Sequence, residues 1–350
     1  MPVFTVTVTN VSIADEPPDV NQPAELDLVL RRLRHDSQTP SLALAGRPRP
    51  LSGGFWAEMW ALPLTQPAGP LPAEVVLRLA PDAALAARET VVQSGAAAQG
   101  FPTPRIHASD TSHNGWRAWS VMDLAPGRPL LAGLGGVRAL SSLPRLATSL
   151  PDALARVAAD LHRLDPDPID NALDELGGGS VGIDSLLDHY LIQAEALDDQ
   201  PLRRLVERLA GTRPPDEPRV VCHGDLHPFN VLAAGDRHIV LDWTAARIAH
   251  PAYDLAFTRL LLANPPLHAP RALRPVIDAA ARRIANRFLA SYAKLGPYPV
   301  DPDILEWYHS LHACRILIDL GGWRASGAAD SRGGHPWFAI EPTVRALLDA

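Results

Sequence analysis

Arg219-Val-Val-Cys-His-Gly-Asp-Leu-His-Pro-Phe-Asn-Val-Leu-Ala-Ala-Gly-Asp-Arg-His-Ile-Val-Leu-Asp-Trp243 is the stretch on which the fold turns. An apolar strand is expected to end at Cys222, and a polar loop to run from His223 to Asn230. Two apolar arms, Val231 to Ala234 and His238 to Leu241, flank Gly235-Asp236-Arg237 and predict a β-hairpin closed by a three-residue loop. In that register position 230 faces position 242, and directly opposed residues lie about 4.5–5.5 Å apart. The Asn230 amide oxygen and the Asp242 carboxylate then meet at one point, a donor pair suited to Mg²⁺ completed by water and phosphate oxygens. Asp225, in the loop entering the hairpin, brings a third oxygen group, a carboxylate able to accept a hydroxyl proton. Each acid alone is as readable as a turn or cap residue; the three at these spacings point to chemistry.

The chain has 350 residues, 47% of them hydrophobic, enough for a sizeable core in one large or two unequal domains. Only one of its 32 basic residues is a lysine, Lys294, so any mechanism needing a second lysine is excluded. A formal net charge of -7 argues against a nucleic-acid partner and for small molecules. Two cysteines, Cys222 and Cys314, are too few for a disulfide framework, lack C-x-x-C spacing, and read as buried thiols. The alternation in Met1 to Ile13 suits a strand rather than a signal peptide, and no apolar run reaches the roughly 18 residues of a membrane span. A soluble cytoplasmic protein, monomer or homodimer, is expected.

Outward from the hairpin, the two halves differ. Before it, a short helix (Ala24 to Arg34), strands in Leu51 to Leu64 and Glu74 to Leu79, a helix Ala83 to Ala98 and a strand Trp116 to Met122 make a small α+β unit. Around it, helices are expected at Leu154 to Leu164, Ile183 to Ala196, Leu202 to Leu209, Leu273 to Tyr292 and Ile304 to Leu320, with a last one from Pro342. A domain boundary is placed at 123, giving 1–123 and 124–350.

His223-Gly-Asp225-Leu-His-Pro-Phe-Asn230, followed by Ile-Val-Leu-Asp242-Trp243 and by Pro251-Ala-Tyr-Asp254-Leu-Ala, resembles the catalytic loop, metal-binding aspartate and downstream segment of the aminoglycoside phosphotransferase family. That resemblance implies an α+β, protein-kinase-like bilobal fold, with a small β-rich N-lobe and a larger, mostly helical C-lobe. It also implies ATP-dependent transfer of a phosphoryl group to a small-molecule hydroxyl. By resemblance Asp225 is the catalytic base, Asn230 and Asp242 are the Mg²⁺ ligands, and His223 and Asp254 support the loop.

The remaining motifs fall in the same order. Ser52, Gly53 and Gly54 lie between two strands, where glycines let backbone N–H groups approach phosphate oxygens. Arg78 stands where kinases carry the phosphate-binding lysine, and its planar fork can hold phosphate oxygens bidentately; Glu89, on the next helix, is its matching carboxylate. Met122, Asp123 and Ala125 resemble the family's hinge, whose backbone binds the adenine edge. His162 reads as a buried structural histidine. Phe229 stands where many relatives have Gly, Thr244 replaces a frequent acid, and Arg247 to His250 lacks the usual Gly; none of these removes the base or a ligand.

Candidates for acceptor binding are Asp184, Asp188, Glu306, Trp307, His309, Arg315, Asp319 and Trp323, several sharing one helix face. Acids and tryptophans would suit a polyamine or quaternary amine; solvated acids and core aromatics are the plainer reading. His309 and His312 lack a third ligand for zinc. Two alternatives stay open: a non-catalytic nucleotide-binding regulator of the same fold, and a metallohydrolase using His223, Asp225 and His227.

Overall fold

The computed structural model describes residues 22–51, 57–65, 71–112, 116–131, 137–177, 182–265, 274–330 and 335–348, with the backbone alone for 137–146. The expected strand at Met1 to Ile13 and the glycine loop of Ser52, Gly53 and Gly54 lie outside these residues. The chain divides into two compact units: one takes the described residues of Thr9–Pro129 and Leu232–Thr244, the other those of Leu130–Val231 and Ala245–Ala350.

The first unit opens with α1 (Leu26–Asp36), then β1 (Arg49–Leu51), β2 (Glu58–Pro63), β3 (Glu74–Ala80), α2 (Ala83–Ala98), β4 (Ile106–Asp110), β5 (Ala118–Asp123) and β6 (Arg128–Pro129). Its antiparallel five-stranded sheet has the order β1-β2-β3-β5-β4, which makes β3 the central strand. Val75, Leu77 and Leu79 of β3 are buried in a core with Trp60, Leu62, Trp119 and Val121. The two-residue period of a strand sends Val76, Arg78 and Ala80 to the other face. Ala80 packs there with Ala83 and Ala86 of α2, so Arg78 is turned toward that helix. Helix α2 starts where Asp82 caps it, its carboxylate accepting the Leu85 N–H at 2.9 Å.

The second unit holds α3 (Val137–Leu161), α4 (Asp167–Glu175), α5 (Ile183–Ala196), α6 (Gln200–Gly211) and β7 (Val220–Cys222). After β8 (Val231–Ala234) and β9 (Arg237–Val240), both read at the hairpin, come β10 (Arg247–Ala249), α7 (Ala252–Ala263), α8 (Arg274–Leu295), α9 (Pro302–Ala325) and α10 (Pro336–Arg345). Strand β7 pairs antiparallel with β10, and the six-helix expectation holds with α4 and α7 added. Asp301 caps α9 through the N–H groups of Asp303 and Ile304, with Pro302 at its first turn. The last helix starts at Pro336, not Pro342, because the His335 ring accepts the Trp337 N–H and caps it there; Pro342 sits inside it.

One sequence expectation fails in detail. Arg237 is already in β9, so β8 and β9 are joined by two residues, Gly235 and Asp236, instead of three. Gly235 at φ 67° supplies the left-handed conformation that a two-residue hairpin turn requires. The opposition of 230 and 242 therefore does not follow from the hairpin register.

At the exit of β7 the chain bends at Gly224, with φ 74°. A Cβ there would lie 2.3 Å from the Ala245 carbonyl oxygen and 2.8 Å from Tyr253 Cε1, whereas one on Gly235 meets nothing within 4 Å. Gly224→Ala should thus cost about 2 kcal/mol or more of stability and Gly235→Ala only about 1 kcal/mol. Urea denaturation midpoints of the two variants test this ordering; equal losses contradict it.

Candidate active site

In the strand-rich unit, Arg78 is centred by its neighbours Met59 and Ser120 across the sheet. Its Nη1 donates to Glu89 Oε2 at 2.5 Å, and its Nη2 lies 3.9 Å from Asp242 Oδ1. Arg78 and Glu89 are both buried, while Asp242 keeps about a third of its side chain exposed, at 35%. Asp242 adopts φ 63°, a conformation L-residues enter rarely and Asp more readily than most. Its Oδ1 accepts the Thr244 hydroxyl at 2.7 Å, a local turn that steadies the carboxylate. Next to it, the Trp243 ring is buried edge-on to Phe101, and its N–H donates to the Thr103 hydroxyl, which in turn donates to the Val240 carbonyl. Asp242 thus stands between a packed indole and an Asx-type turn. Burial pushes the Glu89 carboxyl up to about 7; the Arg78 charge opposes this and the Asp242 charge adds to it.

In the helical unit, the buried Asp254 of α7 organises the loop after β7. Its Oδ2 accepts the His223 N–H at 2.9 Å and its Oδ1 the Gly224 N–H at 2.6 Å. The His162 ring, which also bonds the Tyr292 hydroxyl at 2.7 Å, approaches the same carboxylate at 3.2 Å. Burial alone would raise the Asp254 carboxyl, but the His162 hydrogen bond and charge, His223 and the loop N–H hold it below its ordinary value. His223 accepts the Asp225 N–H on Nδ1 at 3.2 Å, and Thr258 of α7 donates to the Leu226 carbonyl.

Asp225 emerges from this frame with its two oxygens in different surroundings. The Asn230 side-chain nitrogen donates to Asp225 Oδ2 at 3.1 Å and to the Asp225 carbonyl at 3.0 Å, and His227 Nε2 lies 3.5 Å from the same Oδ2. Because both partners of the Asn230 nitrogen are acceptors, its amide orientation is fixed and its oxygen is left for another donor or cation. Arg315 Nη2 lies 3.6 Å from Oδ1. Burial pushes the Asp225 carboxyl up, but His227, Arg315 and His223 outweigh it and keep it ionised well into the acid range.

A family model describing the phosphotransferase enzyme family matches residues 48–298. This chain belongs to that family. It is 29% identical over 230 residues to the aminoglycoside 3′-phosphotransferase of Streptomyces ribosidificus, an alignment covering 61% of this chain and 75% of the relative. Among solved structures, a Ralstonia eutropha protein described as an aminoglycoside phosphotransferase superposes with TM-score 0.65 at 19% identity, covering 92% of this chain and 95% of that one. A thermostable mutant of aminoglycoside phosphotransferase APH(4)-Ia, solved with AMP-PNP and hygromycin B, gives 0.55 at 16% identity, covering 91% and 97%. The fold is the protein-kinase-like one, a β-rich N-lobe and a helical C-lobe, and the chain is a small-molecule kinase, a phosphotransferase with an alcohol group as acceptor.

The other residues singled out in this phosphotransferase's sequence take varied places. Met122 and Asp123 end β5; Gln93 donates to Met122 Sδ at 3.7 Å, and the Asp123 carboxylate meets His107 Nε2 at 2.7 Å and the Arg105 N–H at 3.1 Å. Ala125 follows, half-buried. Of the acceptor candidates only Arg315 reaches the Asp225 carboxylate directly, and Asp319 acts on Arg315 through its charge. Exposed Asp184 pairs with Arg213, and Glu306 with Arg259 and His309; Asp188 is exposed. Trp307 is buried and donates to the Leu209 carbonyl, and Trp323 is stacked on Trp337, so both are core aromatics. His312 is buried, bonds the Tyr253 carbonyl and is pushed down to about 3 by burial, so it stays neutral, and it does not pair with His309.

Among the described residues, the one group of three His, Cys or acid side chains close enough to share a metal is His162, Cys222 and Asp254. It includes neither His223 nor His227. Its members are already engaged: the two His162 nitrogens are bonded as above, and burial keeps the Cys222 thiol protonated beside the carbonyls of Ala249 and His250. No described helix is long and apolar enough to cross a membrane.

The raised Glu89 carboxyl has a consequence for stability. It holds its proton more tightly folded than unfolded, so its contribution is present below its ordinary value of 4.5 and is lost as pH rises through about 7. Glu89→Gln should flatten the fall in stability across that window. Denaturation midpoints at the two ends of the window, compared with wild type, check this; an unchanged slope refutes it.

Proposed function

We propose that the chain transfers the γ-phosphoryl group of ATP to a hydroxyl of a small molecule, with Asp225 as the base. The observation that carries this reading is the geometry of the Asp225 carboxylate, with Oδ2 tied to Asn230 and Oδ1 carrying no hydrogen bond among the described residues; against burial, the neighbouring His227 and Arg315 lower its carboxyl from the ordinary value. An acceptor hydroxyl donating to that oxygen is aligned for in-line attack. Its oxygen forms the new bond to the γ-phosphorus as the bond to the β–γ bridging oxygen breaks, the electron pair leaves on ADP, and the proton passes to Asp225. An ionised base there orients the hydroxyl and receives its proton.

Asn230 and Asp242 are the proposed Mg²⁺ ligands. The donor set fits a hard cation: a carboxylate fixed by Thr244 and an amide oxygen freed by the commitment of its nitrogen. When bound, Mg²⁺ neutralises phosphate charge. Arg78, set by Glu89, binds the α and β phosphates, with Ser52, Gly53 and Gly54 supplying backbone donors; the Asp123 carbonyl and Ala125 N–H, beside Met122, bind the adenine edge. His223 and Asp254 hold the loop. In this reading 1–123 serves the nucleotide and 124–350 supplies the base and the acceptor site. Aminoglycosides, the substrates named for the Streptomyces relative, are the first acceptors to test, followed by amino alcohols.

Asp225→Ala should retain ATP binding and lose about 10²–10⁴-fold in transfer; wild-type turnover would remove Asp225 from the role of base. Arg78→Ala should raise the ATP KM about tenfold or more. An unchanged ATP KM and kcat would show that the nucleotide is held some other way.

A further inference from the structure

Among the described residues, Arg315 of α9 is the one cation whose contacts converge on the proposed base from outside its own loop. Nη1 donates to the Gly224 carbonyl at 2.7 Å, the residue just before Asp225, while Nη2 lies 3.6 Å from Asp225 Oδ1. The guanidinium carbon lies 5.1 Å from the ring centre of Phe257 on α7 and 5.3 Å from that of Trp337 on α10. Three helices therefore hold one planar cation in place, with the two rings acting through cation–π attraction. The charged and titratable groups that act on it are Asp225, Tyr253, Tyr190 and Asp319.

The two carboxylate oxygens are handled in different ways. Oδ2 is fixed by the Asn230 donor and His227. Oδ1 faces Arg315 at a distance beyond hydrogen bonding, so its charge is attracted while its lone pairs stay open. Asn230 and His227 hold the Oδ2 side, but the terminal torsion of an aspartate is broad, and without that cation the carboxylate plane can swing and carry Oδ1 away from its position.

We propose that Arg315 is a positioning residue for the transfer reaction, holding the Asp225 carboxylate so that Oδ1 is presented to the acceptor hydroxyl. This rests on the assignment of Asp225 as base. It assigns Arg315 to the geometry of the base, not to recognition of the acceptor. It also requires arginine: one nitrogen serves the Gly224 carbonyl while the other faces Asp225, and a lysine ammonium, a single point charge, does not offer that two-point fork.

The test uses the full-length chain with Mg·ATP and two acceptors: water, which needs no identified substrate and reports as ATP hydrolysis, and an aminoglycoside. Arg315→Met, Arg315→Lys and Asp225→Asn are compared with wild type for kcat, ATP KM and melting temperature. The expected result is a fall in kcat of about tenfold or more for Arg315→Met with the ATP KM unchanged, partly regained in Arg315→Lys. If Asp225→Asn loses turnover while Arg315→Met keeps wild-type kcat, the positioning role is overturned and the base assignment stands. If neither variant changes turnover, the base assignment falls and the Arg315 role with it. Should Arg315→Met fail to fold, Arg315→Lys decides: wild-type kcat with lysine at 315 overturns the proposal, since the two-point fork is then dispensable.

Discussion

Two consecutive backbone N–H groups, those of His223 and Gly224, donate to the two oxygens of one buried carboxylate, Asp254, and the helical unit's chemistry depends on that arrangement. A buried carboxylate is costly unless every lone pair finds a donor. The loop turns at a left-handed Gly224 to satisfy it, and that turn carries the next residue, Asp225, to Asn230, His227 and Arg315. The His162 ring, held by the Tyr292 hydroxyl, adds a donor from α3 and α8, so the anchor is shared among elements distant in sequence. Asp225, the proposed base, is thereby placed by groups outside its own side chain's contacts.

The strand-rich unit solves a different electrostatic problem. Arg78 faces two acids, Glu89 at hydrogen-bond distance and Asp242 somewhat farther away, so one cation serves two anions. Burial is the main cause that raises the Glu89 carboxyl, with the Arg78 charge opposing it and the Asp242 charge adding to it. Under the proposed function, nucleotide phosphates would add negative charge beside Arg78, and a divalent cation bound with them would offset it.

Much of this was legible in the chain because the informative spacings are local. Asp225 and Asn230 lie five apart in one loop, and Arg78 and Glu89 meet because strand alternation and the Asp82 cap fix which faces look at each other. The hairpin was legible as a hairpin but not in its register: whether Arg237 ends the turn or begins the strand depends on the backbone conformation of Gly235, and three-residue and two-residue readings have the same composition. Arg315 was visible as one polar residue among several on a long helix. Its distinction comes from Phe257 and Trp337, contributed by two other helices, and no periodicity within α9 reports those neighbours. Acids such as Asp184 and Glu306, attractive on a helical wheel, are neutralised by arginines from elsewhere in the chain.

The unequal surroundings of the two Asp225 oxygens bear on which alcohols the proposed site could tell apart. If Asp225 is the base, one of its oxygens is already committed to Asn230, and an acceptor hydroxyl must approach the other. Selection among acceptors then falls to reach and angle, that is, to which hydroxyl of a polyol can lie along Oδ1 while the rest of the molecule fits. Such a site would discriminate between chemically equivalent hydroxyls on one ring, and regiochemistry, more than reactivity, would be the property that changes when its walls are altered.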